Sequence, residues 1–300
     1  MKFNQLNQRE RVISNSSLVS YKKMNNVIEV MYASYRNNKA HIINIDKDYY
    51  YLTSTGEVKE KNHIKTRAED LASVSRSLKS LRDYINTNVV DVNKCLWITL
   101  TYKENMKDTK RLYNDFHNFV KKFKRKYGSF EYIVACEPQG RGAWHLHCIF
   151  IFPYNKPYIP NNELCELWGL GFTKTKRLND IDNIGAYITA YLGDIDYNSA
   201  LKLKIDPNSF ETKEVNEIDG EKLEVSKKVL KGARMVLYPP KFNLYRISRG
   251  IKKPTREFLY YEEAKKKIGH HLPTYSSGVE LLLPNDKTSK VIYEYYNLLR

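Results

Sequence analysis

Apolar residues recur along this chain with two periods, and the changes of period mark its elements. From Thr66 to Ile85 the period is helical: Leu71, Val74, Leu78, Leu81 and Ile85 fall at three- and four-residue steps. Asp108 to Tyr127 repeats the pattern, with Leu112, Phe116, Phe119, Val120 and Phe123 on one face and Lys121, Lys122, Lys124, Arg125 and Lys126 on the other. Gly128 follows as a helix stop. Between and beyond these helices the pattern is that of strands, rich in β-branched and aromatic residues. The strand readings are Val27–Tyr35, His41–Leu52, Leu96–Tyr102, Phe130–Cys136, the run from His145 to Phe152, and Gly171–Lys176. Asn37-Asn38 reads as a turn, and Asn161 or Asn162 as the cap of a short helix over Glu163–Trp168. A helix follows near 182–192, with Asp180 or Asp182 as its cap.

These elements predict an α/β (α+β) fold: a central antiparallel sheet flanked by helices, with an N-terminal extension. Residues 1–92 read as an accessory region whose first 25 or so residues are polar and loosely ordered. Residues 93–255 hold the main domain, with a charged, irregular excursion near 196–228. Residues 256–300 are expected to give a helix over about 258–268 and a final strand over Val291–Leu298.

Charge narrows the partners. The formal net charge is +16 over 300 residues, which favours a polyanion, with nucleic acid ahead of a membrane surface. No apolar run approaches the roughly 20 residues a spanning helix needs. Met1 to Arg9 lack the apolar core of a signal peptide. Cys95, Cys136, Cys148 and Cys165 form no Cys-x-x-Cys pair and read as reduced thiols of a bacterial cytoplasmic protein.

The candidate chemistry lies in Glu137-Pro138-Gln139-Gly140-Arg141-Gly142-Ala143-Trp144-His145-Leu146-His147. Strand side chains alternate between faces, so His145 and His147 point the same way. Gly140 and Gly142 permit a turn that returns Glu137 to the imidazoles. Glu137, or alternatively Gln139, then completes a three-ligand site open on one side, suited to Mg²⁺ or Mn²⁺. Downstream, Tyr187 and Tyr191 are four apart and share a helix face. Lys174, Lys176 and Arg177 bring cations to a neighbouring strand, and Arg141 sits in the turn; all four are candidates for DNA phosphate contacts.

Three motifs in order resemble the HUH endonucleases, specifically the rolling-circle replication initiators of plasmids and phages. They are Trp97-Ile98-Thr99-Leu100-Thr101-Tyr102, His145-Leu146-His147, and the Tyr187/Tyr191 pair, together spanning about residues 93–195. The resemblance implies a metal-dependent site-specific endonuclease and strand transferase acting on single-stranded DNA at a replication origin. Tyr187 would attack the scissile phosphate and remain joined to the 5′ phosphate, while Tyr191 would serve a second cleavage. Those initiators often carry a lysine three residues after each tyrosine; here the positions are Ala190 and Asp194. No Gly-x-x-x-x-Gly-Lys-[Ser/Thr] motif is present, so a host helicase and polymerase are the expected partners. The rivals are an HUH transposase or relaxase, and a non-catalytic DNA-binding regulator with a structural zinc held by His145, His147 and Cys136 or Cys148.

Overall fold

The computed structural model describes residues 3–35, 42–176, 178, 183–189, 192–219, 223–283 and 287–299. Two compact units result, one from residues 1–64 with 255–300, the other from 65–254. Along the chain, the first unit opens with β1 (Phe3–Gln5), β2 (Leu18–Met24), β3 (Val27–Ala33), β4 (Ile42–Asn44), β5 (Tyr49–Leu52) and β6 (Val58–Glu60). The second unit holds α1 (Leu71–Asn88), β7 (Cys95–Thr101), α2 (Thr109–Tyr127), β8 (Glu131–Pro138), β9 (Trp144–Ile151), α3 (Asn161–Trp168) and β10 (Thr173–Lys176). It continues with α4 (Ile184–Thr189), β11 (Ile195–Asp196), α5 (Tyr197–Lys202), β12 (Thr212–Asp219), β13 (Leu223–Leu230) and β14 (Tyr245–Ile247). The chain then re-enters the first unit as β15 (Thr255–Tyr260), α6 (Tyr261–Ile268), β16 (Tyr275–Leu282) and β17 (Thr288–Asn297). The fold is mixed α and β with antiparallel sheets, as the periodicities require.

Both chain ends contribute to one sheet in the first unit, ordered β1-β16-β17-β3-β2-β15. The polar N-terminal stretch thus contains a full strand, β2. Its signal was hidden because Lys22 points inward, where it pairs with Glu29 at 3.0 Å, both side chains buried. The run from His41 to Leu52 is broken: His41 and the Asn37-Asn38 turn lie outside the described residues, and β4 and β5 form a hairpin extended by β6. The helix expected over 258–268 begins only at Tyr261. Residues 258–260 finish β15, which pairs with β2. The charged excursion after residue 196 is also ordered. β12 and β13 pair along eight registered positions, and β11 adds to β13.

The second unit is built on a five-stranded antiparallel sheet ordered β10-β7-β9-β8-β14. One face packs on α2 and α3. Ile98, Leu100, Val134, Cys136, Leu146, Cys148 and Phe150 meet Phe116, Phe119, Phe123, Leu164 and Trp168 in a single buried cluster. The α2 stripe read from sequence is buried in full, and the helix stops at Gly128, whose φ of 84° is available to glycine at little cost. Trp97, Ile133, Ala135 and Ile149 line the opposite face and pack with Leu81 and Ile85 of α1, with Val89 just beyond it, and with Ile184 of α4. Helix α1, read from sequence as part of the N-terminal region, therefore belongs to the unit that carries the site.

Candidate metal centre and its surroundings

Strands β8 and β9 are joined by a turn in which Gln139 N donates to Ala143 O and Gly142 N to Gln139 O, both at 2.7 Å. Gly142 has φ 85°, and a Cβ at Gly140 would lie 2.8 Å from the Ser199 side chain, so the turn requires both glycines. The resulting register sets Glu137 opposite His145 and Ala135 opposite His147. Residues facing each other across an antiparallel pair project from the same side of the sheet. Glu137, His145 and His147 therefore converge, while Cys136, Leu146 and Cys148 point into the aromatic core behind them.

Glu137 Oε2 lies 3.0 Å from His145 Nε2 and 2.5 Å from His147 Nε2, and the two Nε2 atoms are 2.8 Å apart. The rings stand at 89° with centroids 4.4 Å apart. Perpendicular rings let two nitrogens aim at one point without the carbon edges colliding. Three lone-pair donors so close repel one another unless a positive charge sits among them. Their chemistry, two imidazoles and a carboxylate, is that of a three-ligand site with positions left open for another group. The residues thus fit a divalent cation. The zinc-regulator reading finds no support for its cysteine ligand, because Cys136 and Cys148 are buried on the other face. Burial pushes the Cys136 thiol up to about 12 and the Cys148 thiol well above its usual range.

Burial acts to raise the Glu137 carboxyl, but the Arg234 guanidinium and the bonds from His145 and His147 outweigh it and hold the group well below the usual carboxylate range. Burial in turn lowers His145, against the pull of Glu137. A carboxylate that stays ionised and an imidazole that resists protonation are both ready to donate to a cation. Arg234 was not singled out from the sequence. Its Nη1 lies 2.5 Å from Glu137 Oε1 and donates to Pro138 O at 2.8 Å, while its Nε donates to Asp194 O at 2.7 Å. The guanidinium occupies one carboxylate oxygen and leaves Oε2 to face the imidazoles. No local motif announces it: it arrives from a short 3₁₀ turn over Ala233–Leu237, far along the chain from the hairpin. Behind the other imidazole, Thr99 Oγ1 is 3.4 Å from His147 Nδ1.

Of the two candidates for third donor, Glu137 faces the imidazoles; Gln139 Oε1 instead accepts from Arg141 Nε at 3.2 Å. Arg141 is exposed but engaged. Its guanidinium also donates to Lys103 O at 3.1 Å and to Tyr102 O, fastening the turn to the end of β7. Lys174 and Lys176 lie on edge strand β10, opposite Thr99 and Trp97. Thr99 in turn faces His147, so both lysines share the site's face, exposed at its rim. Lys176 Nζ stands 4.9 Å over the Trp97 ring. Arg177 lies outside the described residues.

Helix α4 packs on this same face through Ile184. Asn183 Oδ1 accepts from Ala186 N at 2.9 Å and takes the capping role; Asp180 and Asp182 lie outside the described residues. Helix α1 fixes α4 from behind. Asn86 Oδ1 accepts from Gly185 N at 2.9 Å, and Asn86 Nδ2 donates to Asn183 Oδ1 at 3.0 Å. A Cβ at Gly185 would sit 2.6 Å from both Arg82 O and Asn86 Oδ1, so only glycine allows this approach. The backbone at Tyr187 lies within α4; its side chain, and all of Ala190 and Tyr191, lie outside the described residues. Asp194, where the resemblance expects a lysine, is buried; it accepts from Gly232 N at 3.0 Å and pairs with Lys213 at 2.5 Å.

No helix among the described residues is long and apolar enough to cross a membrane. No curated protein and no solved structure matches the chain. Over residues 95–196, from the first residue of β7 to the end of β11, it matches the family described as replication-associated protein of the ORF2 type. The stretch that holds the triad and α4 is thus similar to replication-associated proteins.

Proposed function

We propose that this protein is an HUH-type initiator that nicks and rejoins single-stranded DNA at a replication origin to start rolling-circle replication. The observation that carries the reading is the convergence of Glu137, His145 and His147 on the sheet face against which α4 packs. The similarity to replication-associated proteins and the net charge of +16 support it.

In this reading the Tyr187 phenolic oxygen attacks the scissile phosphorus as the bond to the 3′ oxygen breaks. The phenol loses its proton, the departing oxygen gains one, and the products are a 5′ phosphotyrosine and a free 3′-hydroxyl. Reversal by a 3′-hydroxyl rejoins strands without ATP, because the ester keeps the bond energy. A free phenol has a pKa of about 10 and is a weak nucleophile at neutral pH. Bound Mg²⁺ or Mn²⁺ would polarise a non-bridging phosphate oxygen and offset developing charge. Glu137, His145 and His147 would hold that ion, with Arg234 orienting the carboxylate. Lys174, Lys176, Arg177 and Arg141 would position the strand by its phosphates. Tyr191 would take the second cleavage, and unwinding and synthesis would fall to a host helicase and polymerase.

The test is incubation with an origin oligonucleotide and Mn²⁺, followed by denaturing electrophoresis and peptide mapping. The expected result is a covalent adduct on Tyr187 that disappears in Tyr187→Phe. An adduct that survives Tyr187→Phe, or none with the wild type, would overturn the reading. A transposase or relaxase would form the same adduct but act on a transposon end or transfer origin. A structural-metal regulator would instead retain tightly bound zinc and cut nothing.

A further inference from the structure

An open pocket of about 560 Å³ lies at the end of β7, lined by Thr101, Lys103, Arg141, Cys165, Gly171 and Phe172 among others. Its size falls within the ~300–1,000 Å³ usual for small-ligand sites. The walls are fixed. Trp168 Nε1 donates to Thr101 O at 3.0 Å, Cys165 Sγ lies 3.4 Å from Gly171 O, and Arg141 spans the carbonyls of Tyr102 and Lys103. Gly171 presses so closely on the Thr101 carbonyl and Lys103 N that no Cβ fits. Phe172 follows directly. Its carbonyl accepts from Thr101 N at 2.9 Å, which extends the β10–β7 register by one residue. Phe172 therefore stands in the cross-strand row of Thr101, His145 and Glu137. Its backbone is two strand spacings from that of His145, or about 10 Å. Even at the B-form spacing of about 3.4 Å per phosphate, three nucleotides cover that distance.

Phe172 is 66% exposed, and the exposed Lys103 and Arg141 stand at the same rim. A solvent-facing aromatic side chain on a fixed backbone, beside cations, is the combination that binds single-stranded nucleic acid by stacking. We infer that this pocket takes one nucleobase of the bound single strand, stacked on Phe172, within about three nucleotides of the scissile phosphate. The inference rests on the proposed function and adds a base-holding position to it.

The test uses full-length protein, oligothymidylate of about 20 nucleotides carrying one central 2-aminopurine, and no divalent metal, so that binding is read without cleavage. Phe172→Ala should weaken binding about tenfold and reduce 2-aminopurine quenching, since one base–aromatic stack is lost. Phe172→Trp should restore both. Saturating oligonucleotide should also slow alkylation of Cys165, the exposed cysteine in the pocket wall. Unchanged affinity and quenching in Phe172→Ala, or unprotected Cys165, would overturn the inference. If the wild type forms its tyrosine adduct yet Phe172→Ala binds as well as wild type, the pocket fails alone. If Phe172→Ala weakens binding and no adduct forms, the pocket stands and the nicking reading fails.

Discussion

The two faces of the sheet β10-β7-β9-β8-β14 are made from alternate residues of the same strands, yet they are different environments. Cys136 and Glu137 are adjacent, as are His145, Leu146 and His147. On one side Cys136 and Leu146 enter a buried cluster where Phe123 touches Phe119, Phe130 and Phe150. On the other, Glu137 and the histidines meet beside Arg234. The comparison shows how a small scaffold sets a reactive cluster: the aromatic face fixes the backbone, and the fixed backbone sets donor atoms within 3.0 Å of one another. Ligands on loops would have to pay for that order when the cation binds.

The largest effect should come from His145→Ala together with His147→Ala. Two of three donors vanish, so Mn²⁺ binding by calorimetry should fall below detection, with the far-ultraviolet circular dichroism unchanged. Loss of fold in that variant would mean the two faces are not separable. Phe123→Ala makes the reverse cut. It should destabilise by about 3–5 kcal/mol in urea unfolding, as expected for a fully buried aromatic, and should spare Mn²⁺ affinity under conditions where the protein stays folded.

Arg234→Gln should lower Mn²⁺ affinity by about 10- to 100-fold, the usual cost of losing a partner that orients a ligand. It should also lower stability, since Glu137 keeps a buried charge without its cation. Glu137 is depressed in the folded state, so its contribution is present above the ordinary carboxylate pKa and is lost as pH falls through the depressed value. The stability gap between wild type and Arg234→Gln should therefore be full at neutral pH and close in acid. A gap independent of pH would show that the arginine acts through packing alone. The smallest effect is a contrast in reactivity. Iodoacetamide at pH 8 should modify Cys165 and leave Cys95, Cys136 and Cys148 unreacted until the protein unfolds, because those three are buried and burial holds Cys95 and Cys136 near 12. Rapid labelling of Cys136 or Cys148 in the folded protein would show that the aromatic face opens.

Local pattern made much of this legible. The α2 stripe, the β7 and β9 strands and the glycine turn between β8 and β9 each carry their own signal within a few residues. Glu137 and the two histidines could be brought together from alternation and one hairpin. Where reading failed, partners lay far apart in sequence. Strand β2 carries no clear local signal because Lys22 points inward and pairs with Glu29 across the ladder. The strands after Asp196 look charged because they pair chiefly with each other. Helix α1 reads locally as part of an accessory region because Arg82 and Asn86 find their partners, Asn183, Gly185 and Thr189, about a hundred residues on.

The sequence alone settled the period of α1, α2, β7 and β9, the glycine turn, and the donor chemistry of one strand pair, because these depend on neighbours a few positions away. Tertiary structure decided that α4 and the triad share a sheet face, that both chain ends pair into one sheet, and that Arg234 stands behind Glu137. Those facts depend on chain segments whose separation in sequence says nothing about their separation in space. Only closure of the sheet and packing of helices on it bring them to hydrogen-bonding distance.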